Sequence, residues 1–551
     1  MNFTLPSEKL LENFSTSPNM VAFHQPESRT WKTYTWSEVQ HAVNQIITHL
    51  RGLGLKEGEC VAIYSKNSAE WIIADWAIML AGMISVPVYP TANVDTVKYI
   101  LTRTKSRAIF IGKLDAPEVA EEAVSREISS IALPASNSAA TYNWGDLINK
   151  PEQTVEYHHP SGSDVMSIMY TSGSTGNPKG VELTQLAYAT ACIDSCKMLK
   201  VREGDRLFSY LPLAHIAERV VTEGLLLYSE GVSAYFSESL ETFTSDLQYA
   251  KPTIFFSVPR LWDKFLSNVY QVLPERKLNI LLSLPIVSTV IKRKIKRKLG
   301  FEHTRAWITA AAPISKTTLI AFSKLGVNIS EAWGMTETTG GGCINYPFRK
   351  ELVGTIGFPY THAEVRLSEE GELQVKGENV FRQYHLNAEA TENSFTEDGW
   401  FKTGDRGIKD ENGALKIVGR LKEEFKTSSG KYIIPVPIET KLMQSALVEM
   451  ACVTGSHVAH PYAVIVLTES APTNKRDIEA ALLQLLSNVN NTLENHQKLS
   501  HIIISQTPWT VENDLLTPTM KIKRYQLEKR YRTKGAGQCK LSGVIWESAA
   551  N

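Results

Sequence analysis

Hydroxyl, glycine and lysine residues are concentrated in one short stretch, YTSGSTGNPKG, at residues 170–180. Glycines let a backbone turn so sharply that several N–H groups converge on one anion. Hydroxyl side chains add hydrogen-bond donors, and a lysine adds a positive charge. The combination predicts a loop that binds the phosphates of a nucleoside triphosphate, formed by Thr171, Ser172, Gly173, Ser174, Thr175, Gly176 and Lys179.

The spacing of this stretch differs from that of the common phosphate-binding loops. A Walker A loop has glycine directly before lysine, whereas Asn177 and Pro178 separate Gly176 from Lys179. The stretch does not match the glycine pattern of dinucleotide folds or of kinases either. A polar surface loop is the alternative that composition alone leaves open.

A second stretch, EAWGMTETTGG at 331–341, joins an aromatic ring to a hydroxyl group and a carboxylate. Trp333 offers a flat apolar face, and Thr336 offers a hydroxyl group. Glu337 offers carboxylate oxygens, the ligand type that Mg²⁺ prefers. These residue types suit a base, a phosphate and a metal ion, although a core aromatic is the alternative for Trp333 taken alone.

Two further stretches carry single charged groups in turn-like contexts. Asp405 follows glycine in WFKTGDRG, where one carboxylate is able to accept hydrogen bonds from two ribose hydroxyls. Lys521 follows a Thr-Pro turn in LLTPTMKIKR, and this context distinguishes it from the neighbouring Lys523. With the first two stretches, they indicate a nucleotide site assembled from distant parts of the chain.

Short apolar runs alternate with helix-like patterns over most of the chain. The alternation favours α/β layers, with strands expected at 60–65, 108–112, 165–170, 206–212, 253–259 and 305–313. Later in the chain, Glu-Gly and Asn-Gly turns predict hairpins at 364–380 and 407–420. We therefore predict an α/β fold, with a large N-terminal body of layered α/β subdomains plus a β-rich segment (1–420) and a small α+β domain (421–551).

Composition argues against several classes of protein. Lys plus Arg and Asp plus Glu both number 58, so no net charge draws the chain to nucleic acid. The six cysteines include no CxxC pair, which argues against a zinc cluster or a disulfide framework. The N-terminus lacks a signal-peptide pattern, and no run reaches the roughly 20 apolar residues of a membrane span. We predict a reduced, cytoplasmic enzyme that binds no nucleic acid.

In their order along the chain, these stretches resemble the motifs of the adenylate-forming, AMP-binding superfamily. YTSGSTGNPKG, WGMTET, TGD, GRLKEEFKTSSGKYIIPVPIE and the terminal lysine run from residue 170 to residue 521. The stretch NSAEWIIADWAIMLAGMISVPVYP, at 67–90, extends the likeness toward the N-terminus. Within the superfamily, LPLAHIAERV, SVPRLWDKF and FKTSSGKYIIPVPIE resemble the long-chain fatty acyl-CoA synthetase branch.

The resemblance implies roles for individual residues. Trp333 is expected to stack on adenine, and Asp405 and Arg420 are expected to hold the ribose. The implied ATP-binding set comprises the loop residues named above together with Ala311, Trp333, Gly334, Asp405 and Arg420.

The implied catalytic set is Lys521, His215, Thr336 and Glu337. Lys521 is expected to bridge the α-phosphate and the acyl carboxylate, and Thr336 to contact the α-phosphate. Glu337 is the implied ligand of Mg²⁺. His215 is expected beside the reacting carboxylate, with a hydrogen-bonded structural histidine as the alternative.

The resemblance also implies an activity and a motion. The expected reaction joins a long-chain fatty acid to CoA through an acyl-adenylate, with ATP, CoA and Mg²⁺ as cofactors. The alternatives are loading of an acyl carrier protein and, more distantly, luciferase-like oxidation of the adenylate. The small C-terminal domain is expected to rotate between the two half-reactions about a hinge at Arg420–Lys422.

Two stretches depart from the family pattern, and the first of them lies near the expected adenine and acyl pocket. WITA precedes AAAPIS where the family usually has a Ser-Gly pair, and Asn387 stands where proline is common. Chain-length preference is therefore not predicted.

One stretch lies outside these motifs. NILLSLPIVSTVIKRKIKRKLG, at 279–300, runs from thirteen mainly apolar residues into six basic residues within 291–298. It is too short and too charged to span a bilayer. It predicts either a basic amphipathic helix resting on anionic lipid or a surface helix with a solvated face.

Overall fold

The largest sheet of the protein has eight strands and carries the predicted phosphate loop near one edge. The computed structural model describes residues 3–151, 154–171, 178–456, 458–468, 471–511, 513–517, 521–537 and 543–547. The strand order in this sheet is Gln383–Tyr384, Lys179–Thr184, Val165–Thr171, Ile84–Val88, Cys60–Tyr64, Ala108–Ile111, Ser129–Ala132 and Tyr142–Asn143. The strands from Val165–Thr171 onward are parallel, and the two at the other edge pair antiparallel.

Burial on both faces explains the apolar sequence of the central strands. Every residue of Cys60–Tyr64 is buried, as expected for a parallel strand covered by helices on two sides. Every residue of the helix Ala69–Leu80 is also buried, which explains why AEWIIADWAIML is apolar except at Glu70 and Asp75. It packs against the longer helix Trp36–Gly52 in the same core.

Two smaller sheets also belong to the N-terminal body. One has the order Arg206–Ser209, Ser233–Phe236, Val21–Glu27 and Thr30–Thr35. The other has the order Ile254–Ser257, Ala306–Thr309, Ile329–Trp333, Cys343–Ile344 and Phe358–Pro359. The first three strands of the second sheet are parallel, so their carboxyl ends meet at one edge, where Trp333 lies.

Helices cover the faces of these sheets or connect their strands. The α-helices of the body are Pro6–Thr16, Trp36–Gly52, Ala69–Leu80, Val94–Thr104, Pro117–Ala123, Trp144–Ile148, Gln185–Leu199, Ile216–Glu218, Leu225–Leu227, Phe243–Ala250, Pro259–Val272, Glu275–Ser283, Pro285–Lys298, Lys316–Lys324 and Ala388–Glu392. A π-helical turn, Arg219–Gly224, follows Ile216–Glu218, and 3₁₀ turns span Thr336–Thr338 and Lys350–Leu352.

An antiparallel sheet connects the body to the C-terminal region. Its order is Ala363–Leu367, Glu372–Gly377, Phe401–Lys409 and Leu415–Arg420. A 3₁₀ turn, Leu421–Glu423, follows directly. The C-terminal region then contains a two-stranded ribbon and a four-stranded sheet, formed by Phe425–Lys426, Tyr432–Ile433, Val448–Thr454, Tyr462–Leu467, His501–Ile504 and Gly543–Trp546. Its helical elements are Pro435–Leu442, Lys475–Asn490, Asn495–Gln497 and Arg524–Gly537.

The predicted α/β architecture is confirmed, with a separate C-terminal region of mixed helices and strands. Each of the six predicted strands begins within one residue of the first residue of an observed strand, and both predicted hairpins are present. Asp405 differs from expectation, because it lies inside the strand Phe401–Lys409 rather than in a tight turn. Gly404, at φ +71°, supplies the local distortion of that strand.

The stretch 279–300 also differs from expectation, because it is divided between two helices instead of one. Glu275–Ser283 ends before Leu284, and Pro285 begins the next helix, Pro285–Lys298. Proline cannot continue a helix without losing a backbone hydrogen bond, but it is well tolerated in a first turn. Among the described residues, no helix is long and apolar enough to cross a membrane.

Candidate functional site

The predicted phosphate loop joins two paired strands. Val165–Thr171 and Lys179–Thr184 run antiparallel, and Thr171 lies opposite Lys179. The Thr171 hydroxyl donates to the Lys179 carbonyl oxygen at 3.4 Å. Strand pairing therefore holds both ends of the loop, while its central members, Ser172, Gly173, Ser174, Thr175 and Gly176, lie outside the described residues.

A tyrosine connects the loop lysine to the predicted metal ligand. Lys179 Nζ lies 4.6 Å from the centre of the Tyr384 ring, a cation–π contact. The Tyr384 hydroxyl donates to Glu337 Oε1 at 2.8 Å. Burial raises the pKa of Tyr384, and the charge of Glu337 raises it further, so the hydroxyl stays protonated and continues to donate.

Tyr384 was missed by the sequence analysis. It lies in the short strand Gln383–Tyr384, which pairs with Lys179–Thr184 across about 200 residues of chain. The stretch FRQYHLNAEAT carries no spacing that points to Glu337, so only the sheet pairing identifies the residue.

The turn that carries Thr336 and Glu337 is held by backbone contacts. A Cβ atom on Gly334 would lie 2.2 Å from the Gly340 carbonyl oxygen, so only glycine allows this close approach. Thr336 begins the 3₁₀ turn Thr336–Thr338, and Glu337 is buried. The Phe381 N–H donates to the Glu337 carbonyl oxygen at 2.8 Å, which fixes the turn against the neighbouring loop.

Trp333, Asp405 and Arg420 form one hydrogen-bonded group. Trp333 Nε1 donates to Asp405 Oδ2 at 2.8 Å, and Arg420 Nε lies 2.8 Å from Asp405 Oδ1. Asp405 and Arg420 are paired across adjacent strands, so the sheet sets their separation. Burial raises the pKa of Asp405, and Arg420 and the Trp333 hydrogen bond oppose that effect.

Ala311 follows the strand Ala306–Thr309, which is adjacent to Ile329–Trp333 in the five-stranded sheet. Its φ of +72° is unusual for a residue with a side chain. Backbone strain of this kind concentrates at binding sites, which agrees with the expectation that this loop lies near the nucleotide.

Lys521 comes from the C-terminal region, and its backbone is hydrogen-bonded to Thr517. Its N–H donates to the Thr517 hydroxyl at 3.0 Å, and the Thr517 N–H donates to the Lys521 carbonyl oxygen at 2.8 Å. Lys523 forms an ion pair with Asp514 instead. The two lysines therefore differ in their surroundings, and the role expected for Lys521 stays a prediction.

The charge of Lys521 interacts with groups of the N-terminal body. Solvent reaches this residue, yet protein surrounds its ammonium closely enough that burial lowers the pKa. Arg420 lowers that pKa further, whereas Asp405, Glu337 and Glu423 oppose the shift. The predicted lysine, ribose and metal residues are thus brought into one electrostatic cluster.

His215 belongs to the same cluster. Burial lowers its pKa to about 4, and the charge of Lys521 lowers it further, so the imidazole is neutral at neutral pH. The Ala217 N–H donates to His215 Nδ1 at 3.2 Å. Nδ1 therefore accepts, and the remaining proton is on Nε2, which is left as a hydrogen-bond donor.

The electrostatic surroundings suit a site where anions meet. Arg420, Lys179 and Lys521 supply positive charge, and His215 supplies a neutral donor. In the described part of the chain, no group of three or more His, Cys, Asp or Glu side chains forms a metal site. A single carboxylate such as Glu337 agrees with Mg²⁺ bound through one protein ligand and substrate phosphates.

Comparison with known proteins identifies relatives along nearly the whole chain. A family model described as AMP-binding enzyme matches residues 10–385, and one described as AMP-binding enzyme C-terminal domain matches 424–534. Long chain acyl-CoA synthetase 1 of Arabidopsis thaliana is 30% identical, over 96% of this chain and 91% of the relative. Long-chain-fatty-acid–CoA ligase FadD15 of Mycobacterium tuberculosis is 28% identical over 95% of each chain.

Solved structures share the fold. The anthranilate CoA ligase AuaEII in complex with anthranoyl-AMP has a TM-score of 0.79 at 22% identity, covering 97% of this chain and 98% of that one. The o-succinylbenzoate CoA synthetase of Bacillus subtilis, in complex with the acyl-adenylate OSB-AMP, has a TM-score of 0.76 at 21% identity, covering 96% and 99%. With the family model matched over more than half of its length, this chain belongs to the AMP-binding enzymes.

Proposed function

We propose that the protein is an ATP-dependent ligase that joins a long-chain fatty acid to CoA through an acyl-adenylate. The observation that carries the proposal is the hydrogen-bonded group of Trp333, Asp405 and Arg420, whose carboxylate is also influenced by the charge of Lys521 from the C-terminal region. Relatives named long-chain fatty acid–CoA ligases and acyl-CoA synthetases support the choice of acid.

In the first half-reaction, a carboxylate oxygen of the acid attacks the α-phosphorus of ATP. The new O–P bond gives the acyl-adenylate, and the bond between the α-phosphorus and the bridging oxygen breaks to release pyrophosphate. The nucleophile is already an anion, so no general base is needed to activate it. The site has to bring anions together and neutralise the charge that develops at phosphorus.

Individual residues of the cluster suit these tasks. Lys521 would bridge the α-phosphate and the acyl carboxylate, and the protonated Nε2 of His215 would donate to that carboxylate. Thr336 would contact the α-phosphate. The Thr171–Lys179 loop would enclose the β- and γ-phosphates, with Lys179 as its positive charge.

The nucleoside half of ATP would lie against the group formed by Trp333, Asp405 and Arg420. The Trp333 ring would stack on adenine while its Nε1–H remains bonded to Asp405. The ribose hydroxyls would share the Asp405 carboxylate with Arg420. Gly334 and Ala311 would allow backbone to approach the nucleotide.

Glu337 is the residue that would hold Mg²⁺, and the hydroxyl of Tyr384 would orient its carboxylate. When bound, Mg²⁺ supplies positive charge to the phosphate oxygens.

In the second half-reaction, the CoA sulfur attacks the acyl carbon, the C–O bond to AMP breaks, and the thiol proton is lost. Lys521 is required for the first step, whereas the thiol has to enter for the second. We propose that the domains 1–420 and 421–551 rotate relative to each other between these steps, about a hinge at Arg420–Lys422. The 3₁₀ turn Leu421–Glu423 supports this choice of hinge.

The setting proposed for this reaction is the cytoplasm, with peripheral membrane contact through 279–300. The absence of a membrane-spanning helix among the described residues is compatible with that setting.

The test is AMP and pyrophosphate release by the purified protein with ATP, Mg²⁺ and palmitate, with and without CoA. CoA-dependent AMP release together with palmitoyl-CoA supports the proposal. Pyrophosphate release without CoA-dependent turnover would indicate a carrier protein as the acceptor. Oxygen consumption with light emission would indicate oxidation of the adenylate.

A further inference from the structure

Residues 275–298 form two helices, Glu275–Ser283 and Pro285–Lys298, that pack against each other and are called here the basic helix pair. The pair lies in the connection between the parallel strands Ile254–Ser257 and Ala306–Thr309. Its inner side is anchored: Leu278 is buried, and Ile291 and Ile295 pack on the same aromatic core.

The outer side of the basic helix pair exposes large aliphatic side chains. Ile286 is 83% exposed, Ile280 is 65% exposed and Val290 is 60% exposed. Leu284, at the junction of the helices, is 49% exposed. Single exposed aliphatic residues are ordinary, but a group of them within eleven residues indicates a surface that contacts something apolar.

Helical spacing arranges the second helix as an apolar half followed by a basic half. Ile286, Val290, Arg293 and Arg297 follow one another at intervals of three or four residues, so they share one face. Ser288, Ile291 and Ile295 lie on the opposite, inward face. The outward face therefore changes from aliphatic to cationic along a single helix.

The positive charge of the pair is largely uncompensated. Basic side chains stand at 276, 277, 292, 293, 294, 296, 297 and 298, against the single acidic residue Glu275. Arg297 is paired with Glu302 at 3.2 Å. For the other basic residues of the pair, the described part of the chain provides no ion pair, so the surface is complementary to an anionic partner.

We propose that the basic helix pair docks the enzyme on an anionic lipid bilayer. Ile286 and Val290 would insert at the boundary between headgroups and acyl chains, and the following basic residues would contact the lipid phosphates. This inference rests on the proposed function for its purpose, because a long-chain fatty acid is concentrated in membranes.

The exposed aliphatic residues favour a bilayer over a nucleic acid. A nucleic acid presents phosphates but offers no apolar layer for the side chains of Ile286 and Val290 to enter. The chain as a whole has equal numbers of basic and acidic residues, so the attraction is local to this surface. A bilayer containing anionic lipid offers acyl chains to the aliphatic half of the helix and phosphates to its basic half.

The basic helix pair connects two strands of the same five-stranded sheet that contains Trp333 of the proposed site. The two strands joined by the basic helix pair lie beside Ile329–Trp333 in one parallel sheet. Trp333, at the end of that third strand, donates to Asp405 of the nucleotide cluster. The docking surface and the proposed nucleotide site are thus connected through one sheet.

The experiment is co-sedimentation of the full-length protein with vesicles of phosphatidylcholine, with and without 30% phosphatidylglycerol. The basic variant carries K292Q, R293Q, K294Q and R297Q, and the apolar variant carries I286N and V290N. The control variant carries K56Q, K197Q, K350Q and K409Q, which removes the same charge from exposed lysines elsewhere.

We expect binding to the anionic vesicles only, and binding that weakens as salt is raised. The partition coefficient should fall at least about tenfold in the basic variant and severalfold in the apolar variant, while the control variant binds like the wild type. Equal binding by the basic and control variants, or equal binding to both vesicle types, would overturn the proposal.

Turnover of palmitate without vesicles separates this inference from the proposed function. Unchanged palmitoyl-CoA formation in all variants, with binding lost only in the basic and apolar variants, supports both. Failure to activate any acid would reject the proposed function, and vesicle binding by the variants would still test the docking surface on its own. Normal turnover with binding that does not depend on the pair would reject this inference alone.

Discussion

Arg260 Nη2 lies 2.6 Å from Glu449 Oε1 and joins the helix Pro259–Val272 to the strand Val448–Thr454 of the C-terminal region. Both side chains retain solvent exposure, so the ion pair contributes less than about 1 kcal/mol to stability. Its importance is positional, because Lys521 belongs to the same C-terminal region and meets the N-terminal cluster in this arrangement. The pair is expected to favour the arrangement that adenylates.

Arg260→Ala should lower the rate of acyl-adenylate formation by up to about fivefold, because about 1 kcal/mol of bias toward this arrangement is lost. Transfer from supplied acyl-adenylate to CoA should be unchanged or faster. Single-turnover measurements of the two half-reactions check this. Lys98→Ala removes a comparable exposed pair, with Glu122, inside the N-terminal body, and it should alter neither rate.

Tyr384→Phe removes the hydroxyl that donates to Glu337 while keeping the ring over Lys179. The Mg²⁺ concentration needed for half-maximal adenylation should rise about tenfold, because the carboxylate proposed to bind Mg²⁺ loses the hydrogen bond that orients it. Titration of Mg²⁺ at fixed ATP measures the effect. Tyr432→Phe, at an exposed position, is the matched control, and a similar rise in both variants would contradict the role of Tyr384.

As pH rises, the adenylation rate should begin to fall at a lower pH than it would if the rate depended on a lysine with an ordinary pKa. Burial lowers the pKa of Lys521, and only the protonated ammonium neutralises the reacting anions. The profile of kcat/KM reports this group in the free enzyme. Lys521→Arg should remove the alkaline fall, since arginine stays protonated. An unchanged fall in that variant would assign it to another group.

The same profile should show no titration of His215 between pH 6 and pH 8, because its pKa is lowered to about 4.

Gly334→Ala should damage the site, because the added Cβ would meet the Gly340 carbonyl oxygen and force the backbone apart. Overpacking of this kind costs about 1–3 kcal/mol. Urea unfolding should show that loss, and the KM for ATP should rise. Gly52→Ala, at a helical position with open space around it, should leave both values near those of the wild type.

Local patterns predicted most of the secondary structure of this protein. The apolar run at 165–170 coincides with an observed strand, and the Asn-Gly turn at 412–413 joins the two strands of an observed hairpin. The break at Leu284 was missed, because Pro285 was read as part of a continuous apolar run.

The site was predictable in its residue types but not in its contacts. Glycine, hydroxyl and lysine residues within one short window suggested a phosphate-binding loop that includes Thr171 and Lys179, and this role stays a prediction. The contact of Lys179 with Tyr384 depends on the pairing of strands about 200 residues apart. The meeting of Lys521 with His215 depends on how the C-terminal region packs, which no local pattern encodes.

The most direct test of the account compares Lys521→Ala with Lys523→Ala in both half-reactions. Palmitoyl-CoA would be measured from palmitate, ATP and CoA, and separately from supplied palmitoyl-AMP and CoA. We predict that Lys521→Ala loses at least about a hundredfold in the first assay and little in the second, while Lys523→Ala is nearly normal in both. Equal loss in both assays for Lys521→Ala, or no palmitoyl-CoA from the wild type in either, would contradict the account.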